Sequence, residues 1–561
     1  MSAADDQALA QAGGPADAAR TPVQGSARRD GGGRQSGRPR WIWPAGYAAA
    51  GVLLFLCYLR ISGTVSVTSD GAAIAMQAWD MLHGNWLLKG WSVSDVSFYT
   101  TEVPEYALVE IFRGLGPADV HVSAAITYTL LVVLAGLLAK GGKTGKEGLV
   151  RVLIASGIII APQIGPGAFV LLLSPDHTGT GVPLLLIFLL LDRAPRRWWV
   201  PAAVGLLLAW VQIGDRIAVT IGALPIAVVC AVRAYRDIVQ RREPVAAHWF
   251  DLALGVSALV SVGVAGAAVK IIRSLGGYQV ASLNTVFAPS AAWLAHVALT
   301  ADGILRLYGA AFYVGSTRVG TVLAAVHLVG VALAAWAVAR VIRRFFACDD
   351  MIAQILAVAI VLNVAVYALS MLPDTSYANR EVVSVLPFGA VLAGRVLADR
   401  LIQARLVPIL ATVGCCYLAA LGYSLRVPQA PTHDAALIRW LGSHHLTTGL
   451  GTYAEGASYD LGSHGTILII VPNFGRDVAV RGLQLFEEKA SDFDPRLHYA
   501  NFVLSTSQDG PSFYVNPAFA IREFGKPAHT YHYSVWTIMT WNKNLLTQIK
   551  PCSAVRNACS P

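Results

Sequence analysis

Asp70 stands in the stretch VTSDGAAIAMQAWDMLHGN, which begins at Val67. A carboxylate there can do two kinds of work. It can accept backbone N–H groups at a helix N-terminus, where the helix dipole favours negative charge. It can also take a proton from a hydroxyl. The next residues favour a helix. Ile74, Ala78 and Met81 recur at helical spacing, with Ala75, Trp79 and Leu82 alongside, while Gln77, Asp80 and His83 are polar. The pattern predicts a short amphipathic helix over 71–83, lying in a membrane interface, with Asp70 or Ser69 as its cap.

More chemistry-bearing residues follow. GWSVSDVSFYTTEVPEYALVE carries Asp95, Glu102 and Glu105 among Trp91, Phe98, Tyr99 and Tyr106. Carboxylates mixed with aromatic faces suit a site that stacks sugars and moves protons; a solvated, aromatic-belted loop is the plainer reading. In LLLSPDHTGTGVP, the adjacent Asp176 and His177 suit a metal ion or an oriented phosphate. A polar turn accounts for them equally well. In LPDTSYANREVV, Arg380 puts a positive charge at the outer start of a hydrophobic span. A guanidinium fork matches phosphate oxygens, so Arg380 predicts a phosphate site; pairing with Glu381 or Asp374 is the alternative. Lys270, Arg273 and Arg216 (beside Asp215) are lesser candidates of the same kind.

These residues lie between hydrophobic runs. The chain has 561 residues, 55% of them hydrophobic and only 14% charged, where a soluble domain carries roughly 25% charged. A spanning helix needs ~20 mostly apolar residues. About eleven runs approach that length, near 42–60, 121–139, 150–173, 181–192, 198–214, 217–233, 251–272, 319–341, 351–371, 382–398 and 406–424. Pro162, Gly165 and Pro166 interrupt the third. The expected fold class is an all-α polytopic membrane protein with a C-terminal extracytoplasmic α/β domain. Basic residues gather in alternate loops, among them Lys140, Lys143, Arg193, Arg196, Arg233, Arg236, Arg340, Arg343, Arg395 and Arg400. The positive-inside rule makes that side cytoplasmic, so the N-terminus is expected inside and the C-terminus outside. The net charge of +9 is mostly this topological signal, not a sign of nucleic-acid binding.

Residues 1–40 are too poor in large apolar side chains to build a core and are expected to be a disordered cytoplasmic tail. The membrane domain runs over 41–424, with a large external loop at 61–120, and the soluble domain over 425–561. In the latter, 434–445 has helical spacing. The runs 465–471, 501–507, 519–524 and 531–541 read as strands from their β-branched and aromatic residues. Of seven cysteines, Cys552 and Cys559 fall in the external tail, where a disulfide is permitted. Cytoplasmic loops are short and basic, so chemistry is expected outside.

This layout resembles the GT-C class of integral-membrane glycosyltransferases, which includes protein O-mannosyltransferases and bacterial aminoarabinose transferases. Asp70 matches the acidic position early in that class's first external loop, and 71–83 matches its first interfacial helix. The stretch WLGSHHLTTGLGTYAEGASYDLGSHGTILIIVP is similar to the external domain of bacterial relatives. The resemblance implies a polyprenyl-phosphate sugar donor, Asp70 as the base or acceptor-orienting group, and Arg380 as the residue that holds the lipid phosphate. Asp95, Glu102, Asp176 and His177 would then line the site or hold a divalent cation. The implied partners are the lipid-linked sugar, the bilayer and a cell-envelope glycan or protein acceptor at the plasma membrane. The sequence departs from the class in two places. The Asp-Glu pair of the mannosyltransferases is replaced by Asp70-Gly71, and no Asp-x-Asp signature occurs in the second external loop. A scaffold or lipid-linked sugar carrier that kept the fold without catalysis is the alternative function.

Overall fold

An apolar run in lipid can satisfy its own backbone only as a helix, and every predicted run contains one. In the computed structural model, the residues described are 42–162, 170–173, 177–194, 196–280, 286–314, 317–373, 378–430, 433–453, 456–472, 487–506 and 517–549. Contacts divide the chain into Met1–Ala49 and Ala50–Pro561; the bundle, the sheets and the site all belong to the second unit. Among the described residues, seven helices are long and apolar enough to cross a membrane: Pro117–Lys140, Val219–Gln240, Val245–Ser274, Arg318–Arg343, Met351–Leu369, Ala378–Gln403 and Val407–Ser424. Ala48–Ser62 and Val200–Gly214 are shorter apolar helices. The helices Gly145–Ile159 and Thr178–Arg193 are also short. The first stops ahead of Pro162 and the second carries Pro183 within it. The protein is therefore a multi-pass helical membrane protein.

Ala378–Gln403 is the central pillar, with 83% of its apolar window buried. Near its far end the Arg395 guanidinium draws three other helix ends together. It donates to the Leu138 carbonyl at 2.7 Å, to Asp192 at 2.8 Å and to Asp350 at 2.9 Å. The basic loops thus gather at one end of the bundle. The residues singled out for chemistry belong to the loops that alternate with them.

Those loops carry structure of their own. The helix Ser69–Leu82 is followed by the helix Glu102–Arg113, with Trp293–Leu307 in the later loop. A small sheet binds three distant stretches. Strand β1 (Trp91–Val93) pairs in parallel with β2 (Gln279–Val280) and antiparallel with β5 (Glu488–Lys489). Asp80 staples this sheet to the end of the Ser69–Leu82 helix. It accepts from the Trp91 indole at 2.8 Å and from Lys489 Nζ at 2.9 Å. Burial disfavours its charge, yet these donors hold its carboxyl below the usual range.

The C-terminal region forms a five-stranded sheet, ordered β4-β3-β6-β8-β7. Its strands are β3 (Thr448–Leu450), β4 (Leu468–Ile470), β6 (Phe502–Thr506), β7 (His529–Tyr533) and β8 (Trp536–Thr540). The predicted strand runs 465–471, 501–507 and 531–541 contain β4, β6 and β8, and the last also takes in the end of β7; β3 lies in no predicted run. The run 519–524 holds no strand: it lies in the helix Pro517–Phe524. Ala520 and Phe524 are both buried, and their i,i+4 spacing puts them on one helical face. The expected helix over 434–445 is present as His433–Ser443. Cys552 and Cys559 lie outside the described residues.

Candidate active site

The Ser69–Leu82 helix begins where its sequence allows. Thr68, in extended backbone, caps it, its hydroxyl accepting from the Gly71 N–H at 3.2 Å. The cap is therefore neither Asp70 nor Ser69, contrary to expectation. Ser69 donates instead to the Tyr453 carbonyl at 2.5 Å. Asp70 occupies the first turn, where the dipole favours its charge, and its carboxylate is left for other partners. Gly71 explains the missing Asp-Glu pair. A Cβ at this position would meet Val120 at 2.9 Å, so the tight packing leaves no room for a side chain.

Two groups surround Asp70. The Tyr453 hydroxyl lies against Asp70 Oδ1 and also 2.5 Å from Glu487 Oε2. On the other side, Arg380 Nη1 stands 3.8 Å from Asp70 Oδ2. Burial, then Glu487 and Asp70, push the Tyr453 phenol well above its usual range, so it stays protonated.

A second cluster adjoins the first through the Arg380–Glu381 step. His177 Nδ1 lies 2.7 Å from Asp215 Oδ2 and His177 Nε2 lies 3.2 Å from Glu381 Oε2. Thr180 donates to the same Asp215 oxygen at 2.5 Å, and the Ile217 N–H donates to Asp215 Oδ1 at 3.0 Å. Burial opposes a charge on the imidazole. The two carboxylates outweigh it and hold the pKa well above the usual histidine value. Asp215 is likewise buried, and the imidazolium holds its carboxyl below the usual range. His177 adopts a left-handed φ of 54° just before the Thr178–Arg193 helix, a conformation histidine tolerates better than most residues.

These groups open on a cavity of about 480 Å³, whose polar lining includes Asp95, His177, Asp215, Arg216, Arg273 and Glu381. Asp95 is placed by the loop after β1. Ser97 Oγ donates to the Ile213 carbonyl at 2.9 Å, the Phe98 N–H to the Gly214 carbonyl at 2.9 Å, and Thr100 Oγ1 to the Trp210 carbonyl at 2.6 Å. The loop thereby satisfies the free carbonyls at the end of the Val200–Gly214 helix. Burial, with Glu381 adding, raises the Asp95 pKa against the pull of His177 and Arg380.

The structure thus brings Asp70, Arg380, His177 and Asp95 into one region. Glu102 does not join them. It is 3% exposed, packed against Gly179 and lining a separate void of about 10 Å³. Burial raises its pKa well above the carboxylate range. Asp176 lies outside the described residues. Among the described residues, no group of three or more His, Cys, Asp or Glu side chains is arranged to hold a metal ion. Sequence reasoning passed over Tyr453 and Glu487. Tyr453 sits in the Gly-Thr-Tyr turn of the tail, a visible signal, whereas nothing in the sequence marks Glu487.

Neither a protein-family model nor a curated protein matches this sequence. Solved structures do match its fold. ArnT from Cupriavidus metallidurans, bound to undecaprenyl phosphate, superposes with a TM-score of 0.52 at 11% identity, over 91% of this chain and 100% of that one. The Archaeoglobus fulgidus oligosaccharyltransferase, tethered with an acceptor peptide, aligns with a TM-score of 0.47 at 13% identity, over 91% and 75%. The likeness is one of fold: this chain has the fold of ArnT.

Proposed function

We propose that the protein is a membrane glycosyltransferase that moves a sugar from a polyprenyl-phosphate donor to an acceptor hydroxyl at the outer face of the plasma membrane. The observation that carries this reading is the facing pair of Asp70 and Arg380, 3.8 Å apart, beside a polar cavity at the helix ends remote from the basic loops. In this orientation the N-terminus is cytoplasmic, the eleven apolar runs all span, and 425–561 is the extracytoplasmic domain. The GT-C fold is a second support.

In the reaction, the acceptor oxygen attacks the anomeric carbon and its proton passes to Asp70. The bond from that carbon to the phosphate oxygen breaks, and the electron pair leaves with the phosphate. Arg380 meets the charge that develops there, with Arg216 and Arg273 in the adjoining cavity. Attack opposite the leaving group inverts the anomeric centre. Held geometry and charge complementarity supply most of the rate. His177 has both nitrogens turned to carboxylates, so its part is to fix Glu381 and, through the chain, Arg380. Asp95 lines the cavity where the sugar enters.

The test is transfer of radiolabelled sugar from a panel of polyprenyl-phosphate sugars by purified wild type and Asp70→Asn. Wild-type transfer that falls at least ~100-fold in the variant supports the assignment. Transfer that survives removes Asp70 from the chemistry. Folded protein inactive with every donor would point to the non-catalytic scaffold or carrier.

A further inference from the structure

We propose that the groove between Gly145–Ile159, Arg318–Arg343 and Val407–Ser424 holds one acyl chain of an anionic phospholipid, whose phosphate sits among Lys146, Arg340, Arg344 and Arg400. The groove encloses about 430 Å³, and its lining is almost wholly apolar. Val150 and Leu153 line one wall, Val329 and Leu333 the second, and Val407, Gly414 and Leu418 the third. Nothing lies within 4 Å of a Cβ built on Gly414, so the space beside it is open. From Val407 to Leu418 the groove runs about 16 Å by helical rise, half of a hydrocarbon core ~30 Å thick. Tyr417 ties two walls together at the inner end. Its hydroxyl accepts from the Gly330 N–H at 3.1 Å, and its ring lies 4.3 Å from that of His327. The groove is thus one leaflet deep and suits an acyl chain; a polyprenyl chain is several times longer.

The walls lead to cations. Residues three, four and seven apart share a helix face. Lys146 is four residues before Val150 and seven before Leu153, and Arg340 is seven after Leu333. Both continue groove-lining stripes past the mouth. Arg340 also lies within reach of the like charges of Arg344 and Arg400. The carboxylates at this end are engaged elsewhere. Glu147 pairs with Lys143 at 3.1 Å and Arg151 at 2.8 Å, and also meets Asp399. Asp192 and Asp350 bind Arg395. Among the described residues, no carboxylate pairs with Lys146, Arg340, Arg344 or Arg400. Gly145–Ile159 and Val407–Ser424 both begin at this end. The free N–H groups of their first turns and the positive ends of their dipoles add to the field. An apolar slot opening onto uncompensated cations matches one acyl chain and one phosphate. Basic pockets between transmembrane helices on the cytoplasmic side bind anionic headgroups, and cytoplasmic is the side proposed above for these loops.

The test is lipid binding by the full chain, purified in detergent and read by native mass spectrometry. The probes are dioleoyl phosphatidylglycerol and dioleoyl phosphatidylcholine, which share acyl chains and differ in net charge. Wild type should bind one phosphatidylglycerol about 10- to 30-fold tighter than phosphatidylcholine, the scale of two basic residues beside a phosphate. The double variant Lys146→Gln, Arg340→Gln should lose that preference. Gly414→Leu, whose Cβ meets no protein atom, should fill the groove and weaken both lipids. Thermal unfolding confirms that each variant is folded, and the wild-type comparison decides the matter even where one is not. Equal affinity of wild type for the two lipids would overturn the proposal and leave only bulk lipid. So would unchanged binding by folded Gly414→Leu, or displacement of phosphatidylglycerol by an equal concentration of undecaprenyl phosphate. No donor is turned over, so the outcome is independent of the transferase reading.

Discussion

Arg380 Nη1 faces Asp70 Oδ2 across 3.8 Å, too far for a direct hydrogen bond and close enough for each charge to act on the other. A base and a cation held apart in this way suit a reaction in which one takes a proton while the other receives a leaving anion. The pairing predicts separable kinetic effects. Arg380→Ala should raise the KM for a polyprenyl-phosphate donor by about 10- to 100-fold, the scale of a lost charged contact. Arg380→Lys should recover only part, since it keeps the charge and loses the fork. Steady-state kinetics with donor varied at fixed acceptor would show it. An unchanged donor KM in Arg380→Ala would remove Arg380 from the phosphate site.

The His177 clamp predicts a pH-dependent stability. The imidazole pKa is raised by Asp215 and Glu381 over the opposing burial. Its contribution is complete below about pH 6.5, the value of an unfolded imidazole, and is lost as pH rises through the higher folded value. The Asp215 carboxyl is lowered, so its contribution is complete above about pH 3.9 and is lost as pH falls through the folded value. Asp95 and Arg380 are the other charged groups near this cluster. Removing one partner of a buried ion pair costs about 3–5 kcal/mol. His177→Gln should show that loss most fully between about pH 4 and 6.5 and less of it at pH 9. Thermal unfolding in detergent at pH 5.5 and pH 9 measures the gap, and equal gaps would refute the clamp.

Glu110 makes the opposite prediction. It is 2% exposed and neither carboxyl oxygen has a hydrogen-bond partner. Burial, with Asp119 adding, pushes its pKa up to about 9. Stability is complete below the unfolded value of 4.5 and is lost as pH rises towards 9. Glu110→Met, similar in shape and unable to ionise, should raise stability by about 1–3 kcal/mol at pH 8 and by less at pH 5. A melting temperature that drops at pH 8 would mean that the carboxylate is used by something else.

Much of the fold was legible because lipid imposes one solution. Apolar runs become helices, and the basic loops mark alternate ends, as the convergence of Leu138, Asp192 and Asp350 on Arg395 illustrates. The amphipathic stretch after Asp70 was legible for a similar reason: its 3.6-residue period is written in Ile74, Ala78 and Met81. Hidden features depended on distant neighbours. Ser69 and Asp70 are good caps in isolation, but Thr68 takes the role, and Ser69 and Asp70 turn to Tyr453. Residues 519–524 have strand-like composition, yet Ala520 and Phe524 meet the core at helical spacing. Glu102 reads as part of a polar external loop, and only the packing around Gly179 shows that it is sealed away. Glu487 has no sequence signature, because what marks it is its contact with the Tyr453 hydroxyl, which the sequence does not announce.

The β2-β1-β5 sheet also sets an order in time. Its middle strand leaves the ribosome soon after the first hydrophobic helix, and β5 leaves after the last. Asp70 meets the Tyr453 hydroxyl only once residues far along the chain have been made. The nascent protein therefore holds an incomplete centre through nearly all of its insertion. A chain truncated before this region would lack the Tyr453 partner of Asp70.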